Sequence, residues 1–502
     1  MANHTAISGT FVCLAFCLLC VSAKAEETIA QGPYEPEWPS LLSHEEAPEW
    51  FRDAKFGIYF HWGVYSVPAF GNEWYPRHMH VSSRPEHKHH VETYGEPSEF
   101  GYHDFVPMFK AENFDPEAWA DLFQKAGAQF AGPVAEHHDG FAMWNSELTP
   151  WNAVDKGPER DIMGELAGAI RKRGMRLVAT FHHARNNQHM VNKDGKLIWE
   201  GHYPRVEGCP TVSEDPELRM LYGNLPRHEF LELWRAKLVE VIDKYQPDLI
   251  WFDAWLDEID ETYQMQFLAH YFNRAAEWGR DVVVTCKHRD LPLEVAVEDF
   301  EKGRADKLTE EPWLTDDTIS YGSWCYTRDL KTKPTREVLH VLIDIVSKNG
   351  QLLLNISPKA DGTIPEDQQQ VLLEIGDWLK QFGEAIYGTR PFTVYGEGPT
   401  QMEKGGHFVK TGLAYGPQDI RYTRKGNTVY AIVLGWPGEG EKVTMTALGE
   451  KASEKPLNVK SVALLGADEL IKWKQKKDEL VVTCPETKPH DMALVFRIET
   501  ED

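Results

Sequence analysis

Between residues 55 and 386 the chain alternates short apolar runs with amphipathic ones, and no other feature limits its fold as tightly. Apolar runs at 56–62, 129–136, 175–182, 249–253, 281–286 and 351–356 have the length and the β-branched or aromatic content of buried strands. Segments 116–126, 162–173, 227–245, 261–278, 336–347 and 366–381 repeat their apolar residues at helical spacing. Strands that alternate with helices build a parallel sheet sheathed by those helices. At 502 residues the leading architecture is α/β, a (β/α)8-like barrel of the TIM type. Six or seven repeats can be counted, which leaves room for an irregular barrel. A doubly wound open sheet is the runner-up, but no G-x-G-x-x-G turn follows the first strand.

Beyond residue 391 the helical spacing stops. Short β-type runs at 428–434, 442–446, 459–465, 480–483 and 492–497, separated by Gly and Pro, read as a C-terminal antiparallel β-sandwich. At the other end an apolar run at 11–21 precedes Ala23-Lys24-Ala25, the pattern of a signal peptide cleaved after Ala25. The run has no Lys or Arg before it and is too short to span a bilayer. The expected division is a signal peptide at 1–25, a catalytic barrel at 26–390 and a sandwich at 391–502, with the product secreted or periplasmic. Cys13, Cys17 and Cys20 would leave with the leader. The remaining Cys209, Cys286, Cys325 and Cys484 form no C-x-x-C pair and demand no disulfide. With 78 acidic against 53 basic residues the net charge is -25, which repels phosphate backbones and excludes nucleic acid as a partner.

Barrels of this type carry their chemistry at the C-terminal ends of the strands. Those ends here read Phe60-His61-Trp62-Gly63, Glu136-His137-His138-Asp139-Gly140, Phe181-His182-His183, Trp251-Phe252-Asp253-Ala254-Trp255 and Lys287-His288-Arg289-Asp290. Five polar, aromatic ends in register imply side chains converging on one pocket. The histidine pairs suggest a metal. However, adjacent strand residues point to opposite faces, so each pair supplies one inward ring, and no H-E-x-x-H is present. No metal or cofactor is expected, and neutral imidazoles suit sugar hydroxyls as donor and acceptor at once. Asp253, framed by Trp251 and Trp255, is placed to attack an anomeric carbon or, equally by spacing, to cap a following helix. Glycoside hydrolysis needs a second carboxyl, and Glu294, Glu298, Asp299, Glu301, Glu310 and Glu311 all follow the fifth strand.

Several stretches together resemble glycoside hydrolase family 29, the α-L-fucosidases, across about residues 50–391. They are Trp50-Phe51-Arg52-Asp53-Ala54-Lys55-Phe56-Gly57 through His61-Trp62-Gly63 to Glu73-Trp74-Tyr75; His137-His138-Asp139-Gly140-Phe141 with Trp144 and Trp151-Asn152; Pro247-Asp248 to Trp251-Phe252-Asp253; and Ser347-Lys348-Asn349-Gly350 through Asn355 to Tyr387-Gly388-Thr389-Arg390-Pro391. The resemblance implies a barrel and a β-sandwich, a retaining double displacement, no metal, and a fucosylated oligosaccharide or polysaccharide as substrate. It implies Asp253 as nucleophile and His61, Glu73, Trp74, His137, His138 and Trp251 as fucose contacts. His182 stands where many relatives have Tyr, Arg289 resembles a pocket arginine, and Trp324 resembles the aromatic residue beside the C5 methyl. Counting back from Trp313-Leu314, which replaces the family's Trp-Glu, favours Glu301 as acid/base, ahead of Glu298 and Glu294. An α-L-galactosidase on the same scaffold, or a catalytically impaired carbohydrate-binding homologue, is the alternative. Oligomeric state is not legible.

Overall fold

A strand that is apolar on both faces belongs in a parallel sheet covered on both sides. The computed structural model describes residues 29–191, 197–199, 201–409, 412–452 and 457–501, and it places six such strands, with two more polar ones, in one eight-stranded parallel sheet. They are β1 (Phe56–Phe60), β2 (Phe130–Glu136), β3 (Arg176–Phe181), β4 (Leu249–Phe252), β5 (Val283–Cys286), β6 (Val297–Glu298), β7 (Trp313–Thr318) and β8 (Gly350–Ile356). Spatial order follows chain order from β1 to β6, and β8 and β7 lie on the other side of β1. A parallel bridge between Asp299 and Leu314 joins β6 to β7 and closes the ring. The barrel expected from the alternation is therefore present. The proposed signal peptide at 1–25 lies outside the described residues.

The outer helices are α1 (Pro116–Lys125), α2 (Ile162–Lys172), α3 (Arg227–Tyr245), α4 (Glu261–Trp278), α5 (Thr335–Ser347) and α6 (Glu366–Phe382). Their starts are written locally. Asp115 caps α1 by accepting from Glu117 and Ala118, with Pro116 in the first turn, and Asp161 caps α2 through the amide of Gly164. α4 stops at Gly279, whose φ of 63° suits a residue without a Cβ. No helix separates β5 from β6 or β6 from β7; residues 287–296 and 299–312, all described, are turns and loops. These two missing helices are the irregularity that the repeat count allowed for. β6 is two residues long and β7 reads Trp-Leu-Thr-Asp-Asp-Thr, so neither carried an apolar signal.

Inside the ring, Tyr59, Val134, Val178, Leu249, Val283, Val297, Leu314 and Leu353 form one cluster that draws a side chain from every strand. Phe51, from the short helix before β1, packs into it. The filled interior sets the floor on which the strand-end side chains stand.

The C-terminal region forms two antiparallel sheets. One is ordered β9 (Arg390–Glu397), β10 (Ile420–Lys425), β11 (Thr428–Val433), β16 (Leu494–Thr500), β13 (Val459–Leu464); the other is β12 (Lys442–Met445), β15 (Leu480–Thr483), β14 (Trp473–Gln475). Tyr422, Ala431 and Phe496 of the first share a core with Val443, Leu480 and Val482 of the second. The sandwich is tied to the barrel through a buried charge cluster. Asp344 on α5 accepts from Arg421 of β10 at 2.6 Å and from Lys348 at 2.8 Å, with Arg304 at 3.1 Å. Cys209, Cys286, Cys325 and Cys484 are free thiols.

Candidate active site

Side chains alternate along a strand, so each inward core residue predicts the next inward position two residues on. From Tyr59 this count reaches His61; from Val178, His182; from Leu249, Trp251 and Asp253; from Val283, Lys287; from Val297, Asp299 and Glu301; from Leu314, Asp316; from Leu353, Asn355. Most of these line one pocket of about 570 Å³, together with Glu73, Trp74, His137, His138, Arg185 and Trp324.

At its centre is Lys287, whose side chain is 1% exposed. Its ammonium donates to Asp253 Oδ1 at 2.9 Å and to Glu301 Oε2 at 2.8 Å, and Asp316 Oδ2 lies 3.5 Å away. Two carboxyls that share one ammonium have their nearest oxygens no more than about 6 Å apart, compatible with the separation of about 5–5.5 Å that retaining chemistry uses. The two carboxyls are driven in opposite directions. Burial raises Asp253, but Lys287 and the nearby histidines outweigh it and hold Asp253 well below the usual carboxylate range. Burial raises Glu301 as well, Lys287 opposes it, Asp316 and Asp253 add to it, and Glu301 is pushed up to about 7. One group is thus an anion and the other a proton carrier at the same pH.

The walls are held as firmly. The His61 amide and Nδ1 both meet Asn355 Oδ1, at 2.8 and 2.9 Å, so Nδ1 carries the hydrogen and Nε2 keeps its lone pair. Burial lowers His61 to about 3, so the ring is neutral. His138 Nδ1 faces the His182 carbonyl at 2.6 Å, while its Nε2 stands 3.2 Å from Asp253 Oδ2. Glu73 Oε2 accepts from the Trp324 amide at 3.1 Å, and Asn355 Nδ2 donates to the Trp324 carbonyl at 2.7 Å. These bonds lock Trp324 in the wall. Arg185 lies between the rings of Trp74 and Trp255, 4.4 and 4.3 Å from their centroids.

Three expectations need correction. Arg289 is not in the pocket: the chain turns at His288 and Arg289, with φ of 54° and 60°, and the Arg289 side chain is 68% exposed beside Glu298 at 3.3 Å. Lys287, two residues earlier, is the buried cation. Glu298 and Glu294 line a separate cavity with Arg289, which leaves Glu301 as the one of the three in the pocket. His137 and His138 both face the pocket, because a register shift in β2 after Val134 ends the strict alternation before them. For the second pair the alternation does hold: His182 lines the pocket, and His183 turns outward to stack on Trp234. Asp253 caps no helix, since the next helical turn is preceded by Trp255 and α4 by Asp260. Lys287, Arg185, Asp316 and Asn355 were given no role from the sequence; the two-residue count along the legible strands β5 and β8 reaches Lys287 and Asn355, whereas Asp316 lies on β7, which has no apolar signal, and Arg185 lies beyond β3.

His61, His137 and His182 are all buried and offer one ring nitrogen each within 4.8 Å of one another. A shift of about 1 Å would bring these nitrogens to the distances of a transition-metal site, so the donor set could hold a cation such as Zn²⁺.

A family model described as Alpha-L-fucosidase matches residues 21–384, and one described as Alpha-L-fucosidase C-terminal domain matches residues 416–499. The chain is 32% identical to the tissue alpha-L-fucosidase of Rattus norvegicus, over 94% of this chain and 93% of that protein. It is 32% identical to that of Homo sapiens, over 96% and 95%. The crystal structure of Thermotoga maritima alpha-fucosidase in complex with fucose is similar at 30% identity and a TM-score of 0.71, covering 93% of this chain and 100% of that one.

Proposed function

The chain belongs to the alpha-L-fucosidase family, and from that premise we propose that it is a retaining exo-acting glycosidase that releases terminal α-L-fucose from glycans. The observation that carries this reading is the shared ammonium of Lys287 between an ionised Asp253 and a proton-bearing Glu301. In the first step an Asp253 oxygen bonds to C1 of fucose as the bond from C1 to the glycosidic oxygen breaks, and the Glu301 proton moves to that oxygen. Fucose now esterifies Asp253. The charge that helped raise Glu301 is gone, so its proton affinity falls and it becomes a base. In the second step Glu301 takes a proton from water, the water oxygen bonds to C1, and Asp253 leaves as carboxylate with configuration retained. Trp251 and Trp324 supply apolar walls, and His61, His137, His138, His182, Glu73 and Trp74 hold the hydroxyls. Lys287, and not Arg289, is the cation that keeps Asp253 ionised.

The proposal extends to the rest of the chain: a signal peptide at 1–25 directs export, the barrel at 26–390 carries catalysis and the region 391–502 supports it. Among the described residues no helix is long and apolar enough to cross a membrane. The test is hydrolysis of an aryl α-L-fucoside by the wild type beside Asp253→Ala, with and without azide. Turnover, its loss in the variant, and formation of β-fucosyl azide on rescue are the expected results. A folded wild type inert on this and on natural fucosides would overturn the reading.

A further inference from the structure

The loop that follows β6 does not hold Glu301 alone. A segment from beyond β9, in the C-terminal region, runs antiparallel to it: the Arg304 amide donates to the Gly406 carbonyl at 3.3 Å and the Gly406 amide returns to Arg304 at 3.0 Å. Glu301 is gripped on both sides of its peptide. Its amide meets His407 Nδ1 at 3.1 Å, and its carbonyl accepts from the Phe408 amide at 2.7 Å. The next feature is unusual on physical grounds. Phe408 is 66% exposed, a large apolar ring left in water, and its φ is 51°, a left-handed conformation that costs a bulky residue energy. The ring stands at the mouth of the catalytic pocket and also lines a second cavity of about 420 Å³, next to Lys302, Tyr321 and Gly322.

We propose that Phe408 is the platform on which the leaving-group sugar stacks, so that the C-terminal region supplies the subsite for the pyranose to which fucose is attached. The argument rests on the reading of Glu301 as proton donor. A donor must reach the glycosidic oxygen, so the departing sugar lies on the Glu301 side of the pocket. The exposed aromatic on that side is the residue whose backbone grips Glu301. A flat apolar ring covers the C–H face of a pyranose, and the second cavity beyond it takes the remainder of the glycan. No bond is made or broken by Phe408; it positions the aglycone.

The test compares two substrates that both need a protonated leaving oxygen: a fucosylated disaccharide and methyl α-L-fucoside, which has no second ring. In Phe408→Ala, kcat/KM for the disaccharide is expected to fall on the order of tenfold more than for the methyl fucoside. Phe408→Tyr should keep the wild-type ratio. An equal fall on both substrates would assign Phe408 to the support of Glu301 alone and overturn the subsite. Wild-type kcat/KM on both substrates in the Ala variant would overturn it as well. A wild type that cleaves neither substrate would instead refute the fucosidase reading, so the two failures are distinct.

Discussion

Replacing Lys287 by Met keeps the length of the side chain and removes the charge that Asp253 and Glu301 share. At an effective dielectric near 20, unit charges 4 Å apart attract by about 4 kcal/mol, and both contacts here are closer than that. The carboxyls are partly exposed, so solvent screens some of this; about 2 kcal/mol for each, or roughly 1.5 pH units, is the working figure. The sign is fixed. Lys287 lowers both carboxyls, so its loss raises both. In the wild type the alkaline limb of the pH–rate profile should lie near 7, where Glu301 loses its proton, and the acid limb below the usual carboxylate range. In Lys287→Met both limbs should move up by about 1–2 units, read as macroscopic values of the pair. At pH 6 the nucleophile stays ionised, and kcat/KM should still fall by about 100-fold or more, because Asp253 and Glu301 are no longer held in place by the ammonium. Lys287→Arg keeps the charge and should leave the limbs near their wild-type positions. The assay is kcat/KM for an aryl α-L-fucoside across pH 3–10, with thermal unfolding to confirm a folded variant. An alkaline limb that stays put or moves down would refute the claim that this ammonium tunes the pair.

Glu301→Gln removes the proton carrier. The alkaline limb near 7 should vanish, and turnover of methyl α-L-fucoside should fall by about 10²–10⁴-fold while an activated aryl fucoside loses less; equal losses would point away from acid catalysis. Asp344→Asn leaves Arg304, Lys348 and Arg421 buried around a neutral group and should cost about 3–5 kcal/mol, read as a Tm drop of about 3–5 °C for cooperative unfolding of a chain this long. Those cations hold Asp344 far below its ordinary value, so its contribution is fully present above the unfolded carboxylate pKa, near 4, and disappears as pH falls through the folded value; the variant should show a shallower loss of stability on the acid side. Zn²⁺ should inhibit competitively with fucose at the three rings of His61, His137 and His182, and His182→Phe should weaken that inhibition by about tenfold or more; non-competitive inhibition unaffected by the substitution would place the ion elsewhere.

Much of this architecture was legible because barrel strands are read by apolar runs and barrel helices by spacing. Six strands and six helices announced themselves that way. β6 and β7 did not, since a two-residue strand and the run Trp-Leu-Thr-Asp-Asp-Thr hide their inward positions among polar residues. Arg289 has a different source: it came from the family resemblance, although the strand before it, β5, was legible. The count from Val283, and the register with Trp251 paired to Thr285, put Lys287 level with Asp253. His137 and His138 show the opposite error, where alternation was applied past the point at which β2 stops obeying it.

The absent helices are where the catalytic carboxyl acquires its surroundings. A helix after β5 or β6 would cover the barrel wall and leave only short turns at the rim. Without them, residues 287–312 lie open to a segment of the C-terminal region: Phe300 and Lys302, on either side of Glu301, donate to the Leu314 and Asp316 carbonyls of β7, and His407 and Phe408 hold Glu301 from the other edge. Asp253 follows β4 directly, and its amide bonds to the Phe181 carbonyl as though the strand went on. The rigid sheet therefore positions the group that must meet C1 at one distance. The group that must serve first a leaving oxygen and then a water sits on a loop whose shape the sandwich helps to set. That division accounts for Asp253 being readable from its strand, whereas Glu301 had to be chosen from a run of acidic residues with no spacing to separate them.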